Sequence, residues 1–77
     1  MATRFQRISR NIEVMGGKAC IKGTRVTVGM IVAQISEGKS IDELLADYPY
    51  LKKADITQAL SYAALAVEAK ENEIAFA

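Results

Sequence analysis

The sequence predicts a small, mainly α domain: three helices in a helix-turn-helix layout behind a short N-terminal β-ribbon. Three observations predict it. Before Val28, short stretches alternate apolar and polar residues between glycine turns. From Val28 onward apolar residues recur at the 3.6-residue period of a helix. The segment SIDELLADYPYL, from Ser40, then places a helix start and a helix stop in quick succession.

Each element follows in order. Phe5–Ile8 and Arg25–Val28 alternate as short strands, the second rich in β-branched residues. Gly16-Gly17 and Lys22-Gly23 supply turns, where positive φ is needed. Val28, Ile31, Val32 and Ile35 form one face of a first helix, which Gly38 ends. Ser40 with Glu43 is a capping box that opens a second helix, its apolar face Ile41, Leu44 and Leu45. Pro49 lies beyond its end. A third helix starts near Lys53 and buries Ile56, Ala59, Leu60, Ala63, Ala64 and Val67. A second apolar stripe on it, Tyr62, Leu65 and Ala69, has little work to do in a monomer of this size. The chain therefore divides, as one domain over 1–77, into a basic ribbon or arm (1–28), three helices (28–70) and a tail (71–77).

Size limits what such a chain can be. With 77 residues it buries only roughly 60% of its unfolded surface. Small domains of this kind lean on a disulfide, a metal or a second copy of themselves. Cys20 has no partner within the chain, and without histidine a usual zinc set cannot be assembled. A homodimer or higher oligomer is the remaining expectation. The lone thiol fits a reducing compartment. The longest apolar run, Tyr62–Val67, is far short of the ~20 residues a membrane span needs. The basic start MATRFQRISRN has no apolar signal core. A cytoplasmic protein with no membrane partner is expected.

The stretch GGKACIKGTRVTV, Gly16 to Val28, gathers three glycines, three of the first thirty residues' cations and the cysteine. It does not fit a phosphate-binding loop, because that needs glycines five apart followed by Lys-Ser/Thr, and Gly23 is followed by Thr24. Nucleophilic catalysis at Cys20 would lack a histidine base, so packing beneath the ribbon is the simpler reading. Asp42, Glu43, Asp47 and Asp55 sit where helix-end electrostatics account for them. The expectation is a non-enzymatic protein without cofactor or metal.

What remains is charge. Residues 1–39 hold seven cations against two acids, and residues 40–77 three against seven. A basic front beside an acidic rear suggests a nucleic-acid face next to a protein-binding face. On the ribbon, Arg25 and Thr27 should point outward together, with Lys22 and Lys18 nearby and Arg4, Arg7 and Arg10 on the opening strand. A salt bridge from Arg25 to a neighbouring helix is the competing reading. Lys52 and Lys53 enter the third helix, where backbone N–H groups also favour an anion. If that helix reads DNA, Thr57, Gln58 and Ser61 reach base edges. Tyr62 and Leu65, with Ile74 and Phe76 in the acidic tail, are the candidate partner contacts. A frayed helix end competes with that role for the tail.

MGGKACIKGTRVTV, then SIDELLADYPYL, then ADITQALSYAA closely resembles the family catalogued as domain of unknown function 433, over roughly Ile8 to Ala64. The resemblance implies a homeodomain-like fold and a VapB-type antitoxin-like role beside a nuclease toxin of PIN-type fold. Two departures stand out: Ala19 and Thr27 replace the family's usual prolines, and Lys52-Lys53-Ala54 replaces a capping threonine at the third helix. The expectation is an antitoxin-like, DNA-binding regulator that partners a PIN-type toxin. The alternative is a protein-interaction subunit that never touches DNA.

Overall fold

The computed structural model describes residues 5–73, with side chains through Lys70. It is mainly helical, with three helices and one two-stranded antiparallel sheet. In chain order the elements are β1 (Ile8–Ser9), a 3-10 turn (Met15–Gly17), β2 (Cys20–Ile21), α1 (Val28–Ser36), α2 (Ile41–Asp47) and α3 (Lys53–Glu73). Ile8 pairs with Ile21 and Ser9 with Cys20.

The ribbon is shorter than the alternation predicts, and displaced. Residues 5–7 form a turn, not a strand: the Ile8 N–H returns to the Phe5 carbonyl and the Arg7 N–H is taken by the Gln58 side chain. Those donors are therefore spent before a ladder can begin. The expected strand Arg25–Val28 survives only as a bridge between Cys20 and Thr27, flanked by Ile21 N–H to Val26 O and Val28 N–H to Ala19 O. The chain then turns into α1, so Val26, Thr27 and Val28 are all buried and strict alternation is lost.

Thr27 caps α1: its Oγ1 accepts the Met30 N–H at 2.9 Å. Helix α1 ends in a Schellman motif. Gly38, at φ 101°, donates to Ile35 O and Lys39 donates to Gln34 O. The capping box of α2 forms as read, Ser40 Oγ accepting from Glu43 N–H and Glu43 Oε1 from Ser40 N–H. The Ser40 backbone N–H, and after it the Ser40 side chain, hold the Glu43 carboxyl below its ordinary pKa. Lys39 is raised by its hydrogen-bonded ion pair with Asp47.

The core joins both parts. Ile21 and Val26 from the ribbon pack with Val28, Ile31, Leu44, Leu51, Ile56 and Ala59. Leu51 fills the turn between α2 and α3, while Tyr48 ties that turn to α1 by accepting from Gln34 Nε2. Cys20, 1% exposed, is packed and its thiol donates to Lys18 O. On α3, Ile56 and Ala59 are buried, and Leu60 and Ala63 half-buried. Ala64 and Val67, expected on the same buried face, are exposed, because the α1 packing partner no longer covers them.

Candidate nucleic-acid interface

The cation-bearing surface is built around the first turn of α3 and the turn that follows β2. Thr24 shapes that second turn. Its N–H and hydroxyl both donate to Ile21 O, and its Oγ1 accepts from Val26 N–H. Gly23 takes φ 81°, the left-handed conformation that glycine tolerates best. The result holds Lys22 and Arg25 in solvent at either end of a rigid four-residue turn. Arg25 makes no ion pair among the described residues, so the competing salt bridge is not formed.

Helix α3 lacks the expected cap, but its first turn is not left open. Asp55 is buried, and its Oδ2 accepts the Lys52 N–H at 2.8 Å, the N3-to-N-cap half of a capping box. Its Oδ1 accepts from Arg7 Nη1 at 3.0 Å. Gln58, one turn on, accepts the Arg7 N–H at 2.6 Å. Arg7 is thus not a free cation of the opening strand, as the sequence suggests. It clamps the N-terminal turn onto α3.

That clamp lies between two shallow hollows. One, of about 570 Å³, is lined by Arg7, Lys53, Ala54, Thr57, Gln58 and Ser61, with Phe5. The other, of about 300 Å³, takes in Gln6, Arg7, Lys22, Thr24, Tyr50 and Asp55. Arg7 is common to both, so Lys22 and Lys53 belong to one continuous surface. Lys52 and Lys53 are exposed and unpaired among the described residues. Tyr50, 62% exposed, adds an aromatic face beside Lys22.

Of the residues singled out by sequence, Lys22, Lys53 and Thr57 line this surface. Arg25 and Lys52 are exposed on the elements that form it. Thr57 spends its hydroxyl proton on Lys53 O and keeps acceptor capacity. Three expectations need correction. Thr27 is 6% exposed and committed to capping α1, so it presents nothing outward with Arg25. Gln58 is half-buried with its carbonyl spent on Arg7, leaving only its amide donor. Lys18 is exposed but lines a different groove, between α1 and α3, together with Arg10.

Tyr62 and Leu65, expected on one partner stripe, separate. Tyr62 lines the α1–α3 groove and meets Phe5 edge to face at 5.2 Å, while Leu65, 43% exposed, is not in that lining. Ile74 and Phe76 lie outside the described residues, as does Arg4. Sequence reasoning missed Tyr50 and the Arg7–Asp55–Gln58 clamp. The pairing of an early Arg with an Asp at the third position of α3 carries no local signal, because 48 positions separate them. Among the described residues, no three His, Cys, Asp or Glu side chains are placed to share a metal, and no helix is long and apolar enough to cross a membrane.

The family model described as "Protein of unknown function (DUF433)" matches residues 8–63. No curated protein matches. Among solved structures, a DUF433 member protein from Anabaena variabilis superposes with a TM-score of 0.78 at 36% sequence identity. The match covers 87% of this chain and 66% of that one.

Proposed function

Since the chain belongs to the DUF433 family of proteins of unknown function, we propose from its surface that it is an antitoxin-like regulator that binds DNA through the first turns of α3 and the Lys22–Arg25 turn. The single observation that carries this is the unpaired set Lys22, Lys52 and Lys53 beside the start of α3, with Arg25 exposed on the turn that also carries Lys22. An ion-paired cation gains little by meeting phosphate, whereas an unpaired one releases the counterions that drive binding. The sequence α2, a tight Tyr48–Lys52 turn, then α3 is read here as a helix-turn-helix of homeodomain-like type. In that reading Lys53, Thr57 and Ser61 face the groove of the duplex, while Lys22 and Arg25 grip the backbone beside it. The partner expected from the family resemblance is a nuclease toxin of PIN-type fold in the cytoplasm.

The test is fluorescence anisotropy on the DNA upstream of the protein's own gene against shuffled DNA, from about 50 to 200 mM salt. Binding should fall steeply with salt and favour the native site. Arg25→Ala and Lys53→Ala should each reduce the salt slope by about 0.9, one phosphate contact apiece. Binding that is absent at low salt, or a slope indifferent to both changes, sinks the DNA reading. The second reading, a protein-interaction subunit without DNA contact, is favoured by the apolar α1–α3 groove. It predicts stable co-purification with a toxin and no anisotropy change.

A further inference from the structure

The smaller of the two hollows around Arg7 joins surfaces of different chemistry. Ile21 and Leu51, both buried members of the core, lie at its base. Arg7 and Asp55 form one wall, and Gln6, Lys22 and Tyr50 stand exposed around it. The one carboxylate that lines it, Asp55, has both oxygens taken, Oδ1 by Arg7 and Oδ2 by the Lys52 N–H. Arg7 offsets its charge, and Lys22 makes no ion pair among the described residues. The hollow as a whole therefore favours an anion.

Tyr50 is the lining residue that nothing inside the chain accounts for. It is a large aromatic in solvent, outside the set packed on the core. Its hydroxyl has no hydrogen-bond partner among the described residues. Its placement is nevertheless fixed. Tyr48, Pro49, Tyr50 and Leu51 make a β-turn, closed by the Leu51 N–H on the Tyr48 carbonyl at 2.9 Å, and Pro49 sets the backbone at its second position. Buried Leu51 anchors one end of the turn. Tyr48 anchors the other: its hydroxyl accepts from Gln34 Nε2 at 3.1 Å, and its ring meets Tyr50 edge to face with centroids 6.3 Å apart. A ring ordered in water gains the fold little by burial, so its use lies outside the chain.

Resting on the DNA reading above, we infer that this hollow seats one backbone phosphate of the duplex, which pairs with the Lys22 ammonium and accepts the Tyr50 hydroxyl proton. Tyrosine hydroxyls are among the neutral donors that contact phosphate in protein–DNA complexes. The two contacts differ in kind. Lys22 brings a charge and displaces counterions, whereas Tyr50 is neutral and displaces none. Tyr50 also lies three residues before α3, so a phosphate held there fixes the register in which Lys53 and Thr57 meet the DNA.

The test measures the full chain on its own upstream DNA by anisotropy, from about 50 to 200 mM salt, as wild type, Tyr50→Phe and Lys22→Ala. Tyr50→Phe should weaken binding roughly fivefold at every salt concentration, the size of one hydrogen bond. The slope of log affinity against log salt should not change. Lys22→Ala should lower that slope by about 0.9. Both variants should melt with the wild type, because both side chains are exposed. Ethylation of backbone phosphates should reveal one position that blocks the wild type and weighs less on both variants. A wild type that binds no DNA overturns the DNA reading and the seat together. Wild-type affinity in Tyr50→Phe, or a slope that falls with it, overturns the seat alone, as do effects of the two variants on separate phosphates. Millimolar inorganic phosphate that moves the Lys22 and Tyr50 amide resonances, where DNA leaves them in place, gives the seat to a free anion and overturns it as a DNA contact.

Discussion

The two halves of α3 are made of similar residues and live in different surroundings. In the first half Ile56 and Ala59 are fully buried, and the turn is tied down by Asp55 and Gln58. In the second, Leu65 and Val67 are 43% and 55% exposed and no residue from Ala64 to Lys70 belongs to the core. Apolar, alanine-rich composition runs through both. Burial is decided by what stands opposite, and the second half runs past the core to line an open groove. The family match stops at the same place, Ala63.

The largest effect that could break this contrast lies in a pair of truncations. Ile56→Ala should cost about 2–5 kcal/mol, the range for emptying a sealed aliphatic site. Val67→Ala should change monomer stability by no more than about 0.5 kcal/mol. Urea melts at low protein concentration measure both, and comparable losses would mean the second half is packed after all. A smaller effect sharpens the comparison at the start of the helix. Asp55→Ala removes both the acceptor for the Lys52 N–H and the anion facing Arg7, and should cost about 1–2 kcal/mol, as loss of a helix cap does. Hydrogen exchange should then speed up in residues 53–56 before it does in the core of α1.

The smallest effect isolates capping from packing in α2, a seven-residue helix opened by its capping box. Ser40→Ala should cost about 1 kcal/mol. The box also carries a pH signature. Because the folded Glu43 pKa is depressed by the Ser40 bonds, its contribution is complete above the unfolded carboxylate value and disappears as pH falls through the lower folded one. Acid titration of thermal stability should therefore show a step in the wild type that Glu43→Gln removes, while Ser40→Ala, which keeps the residue-40 backbone N–H, only reduces it.

Much of the helical part was legible in the sequence because its signals are local. The Ser40–Glu43 box, the Gly38 stop and the start of α3 at Lys53 each depend on a few neighbouring residues, and each stands where read. The ribbon was less legible. Arg25–Val28 has the alternation of a strand, but Thr27 also reads as a helix cap, and capping prevails because α1 needs a partner for its Met30 N–H. The cationic surface was legible at Lys22 and Lys53, whose solvent positions follow from turn and helix-start chemistry. Arg7 and Gln58 were not, since their mutual contact depends on how the N-terminal turn docks on a helix 51 positions later. Lys18 failed for the same reason: neighbours in sequence to Lys22, it faces another groove across the ribbon.

The docking of Arg7 on α3 also sets an order of events during synthesis. Its two acceptors, Asp55 and Gln58, belong to the last helix to be made. Residues 8 and 9 can pair with β2 as soon as it is made, but the Arg7 side chain and its N–H have no partner until α3 forms. Closing so long a loop is entropically costly and slow compared with winding a helix. The Arg7 clamp therefore closes only once α3 has formed, although Arg7 is made well before its acceptors.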